Sequence, residues 1–163
     1  MSRSGPVFFI TLAVIICIAA TANGSPKMPV QNALKAISGR WYTEGHEGGI
    51  ELYPCGDEIC GRFYWLKDKM ENGDISRDKN NPDPNLHRRP LCHMQFMGGF
   101  TPDQQSHYTD GWIYNPRDGG TYSAEMTLID RDTLDLRGYL FFPFLGESQT
   151  WTRATSMPTC MND

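Results

Sequence analysis

The hydrophobic and polar positions after Gly39 follow the pattern of short strands separated by turns. Polar and apolar side chains alternate strictly along residues 124–128 and 133–137, which indicates strands with one buried face and one face in water. Turn-forming residues separate the apolar segments, as in the run of Asn, Pro, Asp and Gly at residues 115–120. We therefore expect eight strands, at residues 39–44, 49–53, 61–66, 94–100, 106–114, 121–129, 133–142 and 147–153.

Eight short strands joined mostly by tight turns predict an all-β fold, either an antiparallel sandwich or a barrel. We favour a single antiparallel eight-stranded up-and-down barrel, because closure pairs the edge strands that an open sheet leaves exposed. Val30, Leu34 and Ile37 recur at helical spacing, so one short N-terminal helix should precede the first strand. A barrel of eight strands has room for its interior side chains and one small ligand.

The connection formed by residues 67–92 is too long for a tight turn. It is polar and rich in turn formers, including Asn80-Asn81-Pro82-Asp83-Pro84, and each proline favours an extended conformation in the residue before it. Loops of this length in compact domains tend either to carry function or to be disordered. The sequence leaves both a solvated surface excursion and a recognition loop open.

Residues 1–24 have the pattern of a cleaved secretory signal peptide. Arg3 precedes fourteen uncharged residues, 7–20, and small residues follow them. This apolar run is shorter than the about 20 residues of a membrane-spanning helix. We therefore expect a periplasmic or secreted protein without a stable membrane anchor, the alternative being a permanent N-terminal anchor. Residues 25–163 then form a single β-barrel domain with a long 67–92 loop.

The charge of the chain argues against polyanionic partners. Loss of Arg3 leaves 14 basic and 19 acidic side chains, a net charge of −5, and no basic cluster stands out. Electrostatic binding to nucleic acid or to an anionic membrane is therefore not expected.

The predicted mature chain keeps an even number of cysteines, which in an oxidising compartment favours disulfides over metal ligation. Cys55 and Cys60 flank a short turn that contains Gly56 and Asp57, so we expect them to bond across a hairpin. Cys92 and Cys160 are then left over, and the sequence leaves open whether they pair with each other or bond between chains. The alternative is a zinc site built from cysteines and His93. We expect no metal and no cofactor.

Several short motifs occur together in a specific order and resemble those of one family. The family consists of small exported bacterial proteins and is catalogued as domain of unknown function 2147. The resemblance covers nearly the whole predicted mature chain and implies a periplasmic protein with a lipocalin-like barrel and no established enzymatic activity. The motifs are Gly39-Arg40-Trp41, Tyr53-Pro54-Cys55-Gly56-Asp57, Cys60-Gly61-Arg62, Trp65-Leu66-Lys67, Asn80-Asn81-Pro82-Asp83-Pro84, Arg89-Pro90-Leu91-Cys92, Tyr114-Asn115-Pro116, Gly120-Thr121-Tyr122, Arg137-Gly138-Tyr139 and Gln149-Thr150-Trp151-Thr152-Arg153.

The lipocalin resemblance implies a particular closure of the barrel. Lipocalins begin their first strand with Gly-x-Trp and pack that Trp against an Arg of the last strand. Trp41 and Arg153 fill these positions, and a guanidinium over an indole ring contributes about 0.5–2 kcal/mol. The alternative is that Trp41 is an ordinary core residue.

No catalytic constellation is visible, and we expect that the protein is not an enzyme. The chain contains no Gly-x-Ser-x-Gly, its four histidines fall in or beside loops, and its acidic pairs lie in tight turns. The inward phase of the strands is apolar, which suits a small-molecule pocket. The candidate ligand-binding residues are Trp65, Phe96, Tyr122, Met126, Leu134 and Leu136.

Two functions remain open. The first is a periplasmic lipocalin-like protein that binds a small apolar or amphipathic ligand in the barrel. The second is a filled barrel that acts as a protein or envelope interaction module without a small ligand, since small barrels are often packed shut. The sequence names neither the ligand nor a protein partner.

Overall fold

The computed structural model describes residues 29–68, 70–71, 74–103 and 106–160. The predicted signal peptide, residues 1–24, lies outside the described residues. No helix among the described residues is long and apolar enough to cross a membrane.

Eight antiparallel strands form one closed barrel, which confirms the predicted fold. Each strand pairs with the next along the chain, and the first strand closes the barrel by pairing with the last, Trp41 opposite Arg153 and Tyr42 opposite Thr152. The strands are β1 (Gly39–Tyr42), β2 (Gly48–Pro54), β3 (Ile59–Leu66), β4 (Gln95–Pro102), β5 (His107–Asn115), β6 (Gly120–Leu128), β7 (Thr133–Tyr139) and β8 (Glu147–Arg153).

The predicted N-terminal helix is present and covers one end of the barrel. Helix α1 (Val30–Ile37) buries Ala33, Leu34 and Ile37, as its apolar spacing predicts. The Tyr108 hydroxyl donates to the Ala33 carbonyl at 2.7 Å. The indole Nε1 of Trp41 donates to the Ile37 carbonyl at 2.9 Å, so the helix is bonded directly to two strands.

Arg153 joins the helix, the first strand and the last strand at this closed end. Its guanidinium carbon lies 4.0 Å from the centroid of the Trp41 ring. Nη1 and Nη2 each donate at 2.8 Å, to the carbonyls of Ser38 and Ala36, respectively. The carbonyls at the C-terminus of a helix have no partner within the helix, so Arg153 satisfies one of them while it packs on Trp41.

Two disulfides are formed, Cys55–Cys60 and Cys92–Cys160. The first spans the turn between β2 and β3, as its position in the sequence predicts. The second resolves the open question about Cys92 and Cys160 in favour of a bond within the chain. It holds the C-terminal segment, residues 154–160, against the outer face of the barrel, where the Cys160 amide donates to the Tyr64 carbonyl at 3.0 Å.

Residues 67–92 carry structure of their own. They contain two short paired strands, Met70–Glu71 and Asp74–Ile75, and a 3-10 helix, Pro84–Leu86.

Strand β7 is shorter than predicted. It was expected to run to residue 142, but it ends at Tyr139, and a 3-10 turn, Pro143–Leu145, leads into β8. Pro143 has no amide hydrogen for a strand ladder, which is consistent with a turn at this point.

Candidate ligand-binding cavity

The half of the barrel next to helix α1 is packed. The interior there is filled by strand side chains that have no solvent-accessible surface, among them Phe100, Tyr108, Met126 and Leu134. They form one continuous core with the buried face of the helix. A ligand in the barrel therefore has to occupy the other half.

A cavity of about 1060 Å³ lies in that other half. Its inner part is lined by apolar side chains, Ile50, Phe63, Phe96, Ile113, Leu136 and Trp151. The rings of Phe63 and Phe96 stack, with centroids 4.0 Å apart and planes at 13°. Concave apolar walls with a few polar groups are the usual construction of small-molecule sites, whose volumes run from about 300 to 1,000 Å³.

The rim of the cavity is polar and carries charges of both signs. Strand connections and the long 67–92 segment contribute these side chains, so they surround the opening. The acidic residues that line it are Glu44, Glu47, Asp68, Asp118 and Glu147, and the basic residues are Arg77, Lys79 and Arg117. Lys67 pairs with Glu47 at 2.7 Å and adds a fourth basic side chain beside the rim. The acidic excess is then one charge, which gives an anionic ligand no net attraction.

Asp118 and Tyr122 form a hydrogen-bonded pair in the wall. The Tyr122 hydroxyl donates to the Asp118 carboxylate at 2.9 Å, and the Gly120 amide donates to the same carboxylate at 2.7 Å. These hydrogen bonds, that from the Gly120 amide first, hold the pKa of Asp118 below its usual range, and the hydrogen bond to Asp118 raises the pKa of Tyr122. The pair therefore presents one carboxylate and one neutral phenol at neutral pH.

The long 67–92 segment is fixed against the barrel by the buried carboxylate of Asp78. That carboxylate accepts from the Tyr114 hydroxyl at 2.5 Å, from Arg89 Nη2 at 2.6 Å and from Asn81 Nδ2 at 2.8 Å. Burial raises the pKa of Asp78, but the three hydrogen bonds outweigh burial and the net pKa is lowered. Burial and the bond to Asp78 raise the pKa of Tyr114 to about 12.

The same segment also contacts the turn between β5 and β6. Asn80 Nδ2 donates to the carbonyls of Pro116 and Arg117, at 3.2 and 2.9 Å. Gly119 has a φ of 73°, and a Cβ at this position would collide with the carbonyl of Asn80. Only glycine combines that conformation with so close an approach. Part of the described segment therefore belongs to the cavity wall, namely Asp68, Ser76, Arg77, Lys79, Asn80 and Leu91.

The predicted ligand-binding residues separate into three groups in the structure. Phe96, Tyr122 and Leu136 line the cavity. Met126 and Leu134 are fully buried in the packed half instead, so their assignment to the cavity wall was wrong. Strand periodicity identified their inward direction correctly but carries no information on their depth in the barrel.

Trp65 was also assigned wrongly, since it lies on the outside of the barrel. The pairing of β2 with β3 shifts between Gly49 and Ile50, so that Ile50 faces Phe63 and Gly49 faces Trp65. This irregularity reverses the alternation after Phe63, because side chains change face when the register moves by one residue. The Trp65 ring instead contacts Tyr42 edge-on at 5.9 Å, beneath the C-terminal segment.

Ile113 and Trp151 also line the cavity, although neither was predicted as a ligand-binding residue. Trp151 lies opposite Leu134 in the pairing of β8 with β7, and its Nε1 donates to Gln149 Oε1 at 3.1 Å. Residues 147–150 are polar, so β8 shows little apolar alternation by which Trp151 could be recognised. The one indication that Trp151 faces inward was its position opposite Leu134, a residue predicted to face inward.

Cys92, His93 and Cys160 place their ligand atoms within 4.8 Å of one another. Metal binding by cysteine requires a thiolate. The two sulfur atoms here are bonded to each other, so the bonded form offers only the imidazole of His93 from this cluster.

A closed antiparallel barrel of eight strands, with an arginine–tryptophan contact at its covered end and a cavity at the other, is a lipocalin-like barrel. A family model, DUF2147, described as an uncharacterized protein conserved in bacteria, matches residues 39–153. The chain belongs to this family, as its motifs predicted.

Comparison with solved structures supports the same fold. Protein HP1028 from the human pathogen Helicobacter pylori, described as belonging to the lipocalin family, matches with a TM-score of 0.65. The sequences are 21% identical over 73% of this chain and 83% of that chain, so the likeness shows the fold alone. A comparison with curated proteins finds no match.

Proposed function

We propose that this protein is an exported lipocalin-like carrier that binds one small apolar or amphipathic molecule in the hollow half of its barrel. The observation that carries the proposal is the cavity of about 1060 Å³ with an apolar, partly aromatic inner wall. Burying apolar ligand surface against such a wall contributes roughly 25 cal/mol per Å². A lipocalin-like fold is typically non-enzymatic, and the proposed role needs no catalytic step.

The rim indicates the chemistry of the ligand's polar end. Five acidic and three basic side chains line it, and Asp118 keeps its charge because its pKa is lowered. Since Lys67 pairs with Glu47, the acidic excess is one charge, which favours a neutral or cationic head group slightly over an anionic one. We therefore expect an apolar body in the inner part of the cavity and an uncharged or cationic group at the rim.

Export is supported by the two disulfides, which form and persist in oxidising compartments. Cell fractionation followed by N-terminal sequencing tests this part of the proposal. We expect a mature chain outside the cytoplasm that begins near residue 25. Recovery of a chain that retains residues 1–24 in the membrane fraction would favour the permanent anchor.

Gly138 provides a direct test of the cavity. It lines the cavity in line with Leu136 on β7, and a Cβ added there meets Ile113 Cγ2 at 3.9 Å, an ordinary contact distance. Gly138→Phe should therefore direct a ring into the hollow space from a position where its Cβ meets no clash. Gly138→Ala is the matched control, since it adds one methyl group at the same position.

The measurement is titration with an uncharged, polarity-sensitive fluorophore. Wild type and Gly138→Ala should bind one molecule per chain with a blue-shifted emission, and Gly138→Phe should lose binding by at least about tenfold. Unfolding by urea should show that all three chains are folded. Absence of probe binding in the wild type would overturn the carrier proposal and favour the interaction module.

A further inference from the structure

Five large apolar side chains are exposed in the connection between β7 and β8. Residues 140–145, here called the apolar tip, read Leu-Phe-Phe-Pro-Phe-Leu. Phe141 is 82% exposed, Phe144 75% and Leu145 70%. Single exposed apolar residues are common on protein surfaces, but a continuous apolar patch indicates an interaction site.

The apolar tip is a defined turn. The Leu145 amide donates to the Phe142 carbonyl at 3.0 Å, and the Gly146 amide donates to the Pro143 carbonyl at 3.1 Å. Arg137 Nε donates to the same Pro143 carbonyl, and the rings of Phe142 and Phe144 stack with centroids 5.5 Å apart. These bonds hold the phenylalanines outward, where they cannot pack against the barrel.

The apolar tip lies at the mouth of the cavity. Leu140 and Leu145, at its two ends, line the cavity together with Gly138 and Gly146. Apolar surface therefore continues from the exposed phenylalanines into the barrel. The sequence from Gly138 to Gly146 contains no charged side chain, and the charged residues next to it in the chain are Arg137, which is bonded to the Pro143 carbonyl, and Glu147 at the rim.

We propose that the apolar tip inserts into the surface of an uncharged or zwitterionic lipid bilayer and so brings the mouth of the cavity against the membrane. A protruding turn needs either a concave apolar receptor or a deformable apolar phase. Phe and Leu side chains can be buried at the boundary between head groups and acyl chains, where the strength of binding scales with the apolar area buried.

The competing occupant is a second copy of the chain, whose cavity is concave and apolar. Insertion of a tip into that cavity would bring two mouths together, and each rim carries more acidic than basic side chains. The resulting repulsion disfavours the pair, and the net negative charge of the chain likewise disfavours an anionic membrane. A zwitterionic bilayer has no net charge to repel the protein, so it is the surface on which we expect the apolar tip to dock.

The experiment is co-sedimentation of the oxidised protein with phosphatidylcholine vesicles, comparing Phe141→Asp with Ile129→Asp. Ile129 is also exposed, at 56%, but it lies in the turn between β6 and β7 at the closed end, near the Arg131 carbonyl that binds Arg153. Both variants make the same apolar-to-acidic change. Phe141→Asp should lower partitioning by about tenfold or more, while Ile129→Asp and the conservative Phe141→Leu should stay close to wild type.

Salt and lipid composition add two independent readings. Binding through apolar burial should not weaken between low and high ionic strength, because salt screens charges and does not oppose apolar burial. Phosphatidylglycerol vesicles should bind more weakly than phosphatidylcholine vesicles. Wild type that fails to bind phosphatidylcholine, or equal losses in Phe141→Asp and Ile129→Asp, would overturn the proposal. A lipid-free dimer that Phe141→Asp dissociates would instead assign the tip to a second copy.

Membrane docking goes beyond the carrier function and does not depend on it. Phe141 is not among the residues that line the cavity, so Phe141→Asp should bind the fluorophore in lipid-free buffer as wild type does. Gly138→Phe, in turn, should still sediment with vesicles. Loss of one activity with retention of the other therefore shows which of the two proposals has failed.

Discussion

Replacing Asp78 by alanine tests how strongly the long 67–92 segment is attached to the barrel. The Asp78 side chain is fully buried, and its carboxylate accepts from Tyr114, Arg89 and Asn81. Removing one partner of a buried ion pair costs about 3–5 kcal/mol, because the other charge is left without compensation. The Arg89 side chain is 37% exposed, so water recovers part of this loss and we expect about 3 kcal/mol.

Urea unfolding followed by circular dichroism measures this cost. Asp83→Ala is the matched control, since Asp83 is exposed and its side chain accepts only from Asn85 among the bonds described. Losing that local capping contact should cost about 1 kcal/mol. Equal stability of Asp78→Ala and Asp83→Ala would refute the conclusion that the Asp78 network attaches this segment.

The pH dependence of the same variant gives a second check. The pKa of Asp78 is lower in the folded protein than its ordinary value, which is about 3.9 in an unfolded chain. Its contribution is therefore complete above about pH 4 and is lost as the pH falls through the lowered folded value. The stability difference between wild type and Asp78→Ala should be constant near neutral pH and should shrink in acid. A difference that grows in acid would mean that folding raises the pKa of Asp78 instead of lowering it.

Three further predictions concern the closed end, the tail and the packed half. In a double-mutant cycle, Trp41→Ala should cost about 3–5 kcal/mol, and its coupling to Arg153→Ala should be about 0.5–2 kcal/mol; strictly additive losses would mean that the 4.0 Å contact contributes nothing. Replacing both Cys92 and Cys160 by serine should cost about 4 kcal/mol in thermal or urea unfolding, because the bond spans 68 residues. Met126→Trp should destabilise by about 1–3 kcal/mol through overpacking and leave probe binding intact. Loss of probe binding at unchanged stability would mean that Met126 lines the cavity and is not part of the packed half.

The strands could be predicted because their signal is local. Alternation of polar and apolar residues depends on neighbours two positions apart, and β6 and β7 were recognised from five residues each. Local alternation could not predict which face of the barrel Trp65 occupies. Its face is set by a register shift relative to β2, which reverses the alternation within β3. Residues 63–66 are Phe, Tyr, Trp and Leu, so no polar position in the sequence marks the reversal.

The candidate site depended on contacts that are distant in sequence. Asp78 lies in a polar, turn-rich stretch that gives no sign of its burial. It accepts a hydrogen bond from Tyr114, 36 residues later in the chain, and only the structure shows this contact. The depth of a side chain along the barrel could not be predicted either. Met126 and Leu136 both face inward and lie opposite each other in adjacent strands. One of them nevertheless lies in the packed half and the other lines the cavity.

The closure at Arg153 has a consequence for the order in which the chain folds. Arg153 donates to the carbonyls of Ser38 and Ala36, which precede it by 115 and 117 residues. A chain that is synthesised or translocated from its N-terminus cannot complete the closed end until β8 has emerged. Contacts of such separation form slowly, because the entropy of closing the intervening chain opposes them. Until then β1 and β7 are unpaired edges open to association with other chains, so a product truncated before β8 should aggregate or be degraded rather than persist.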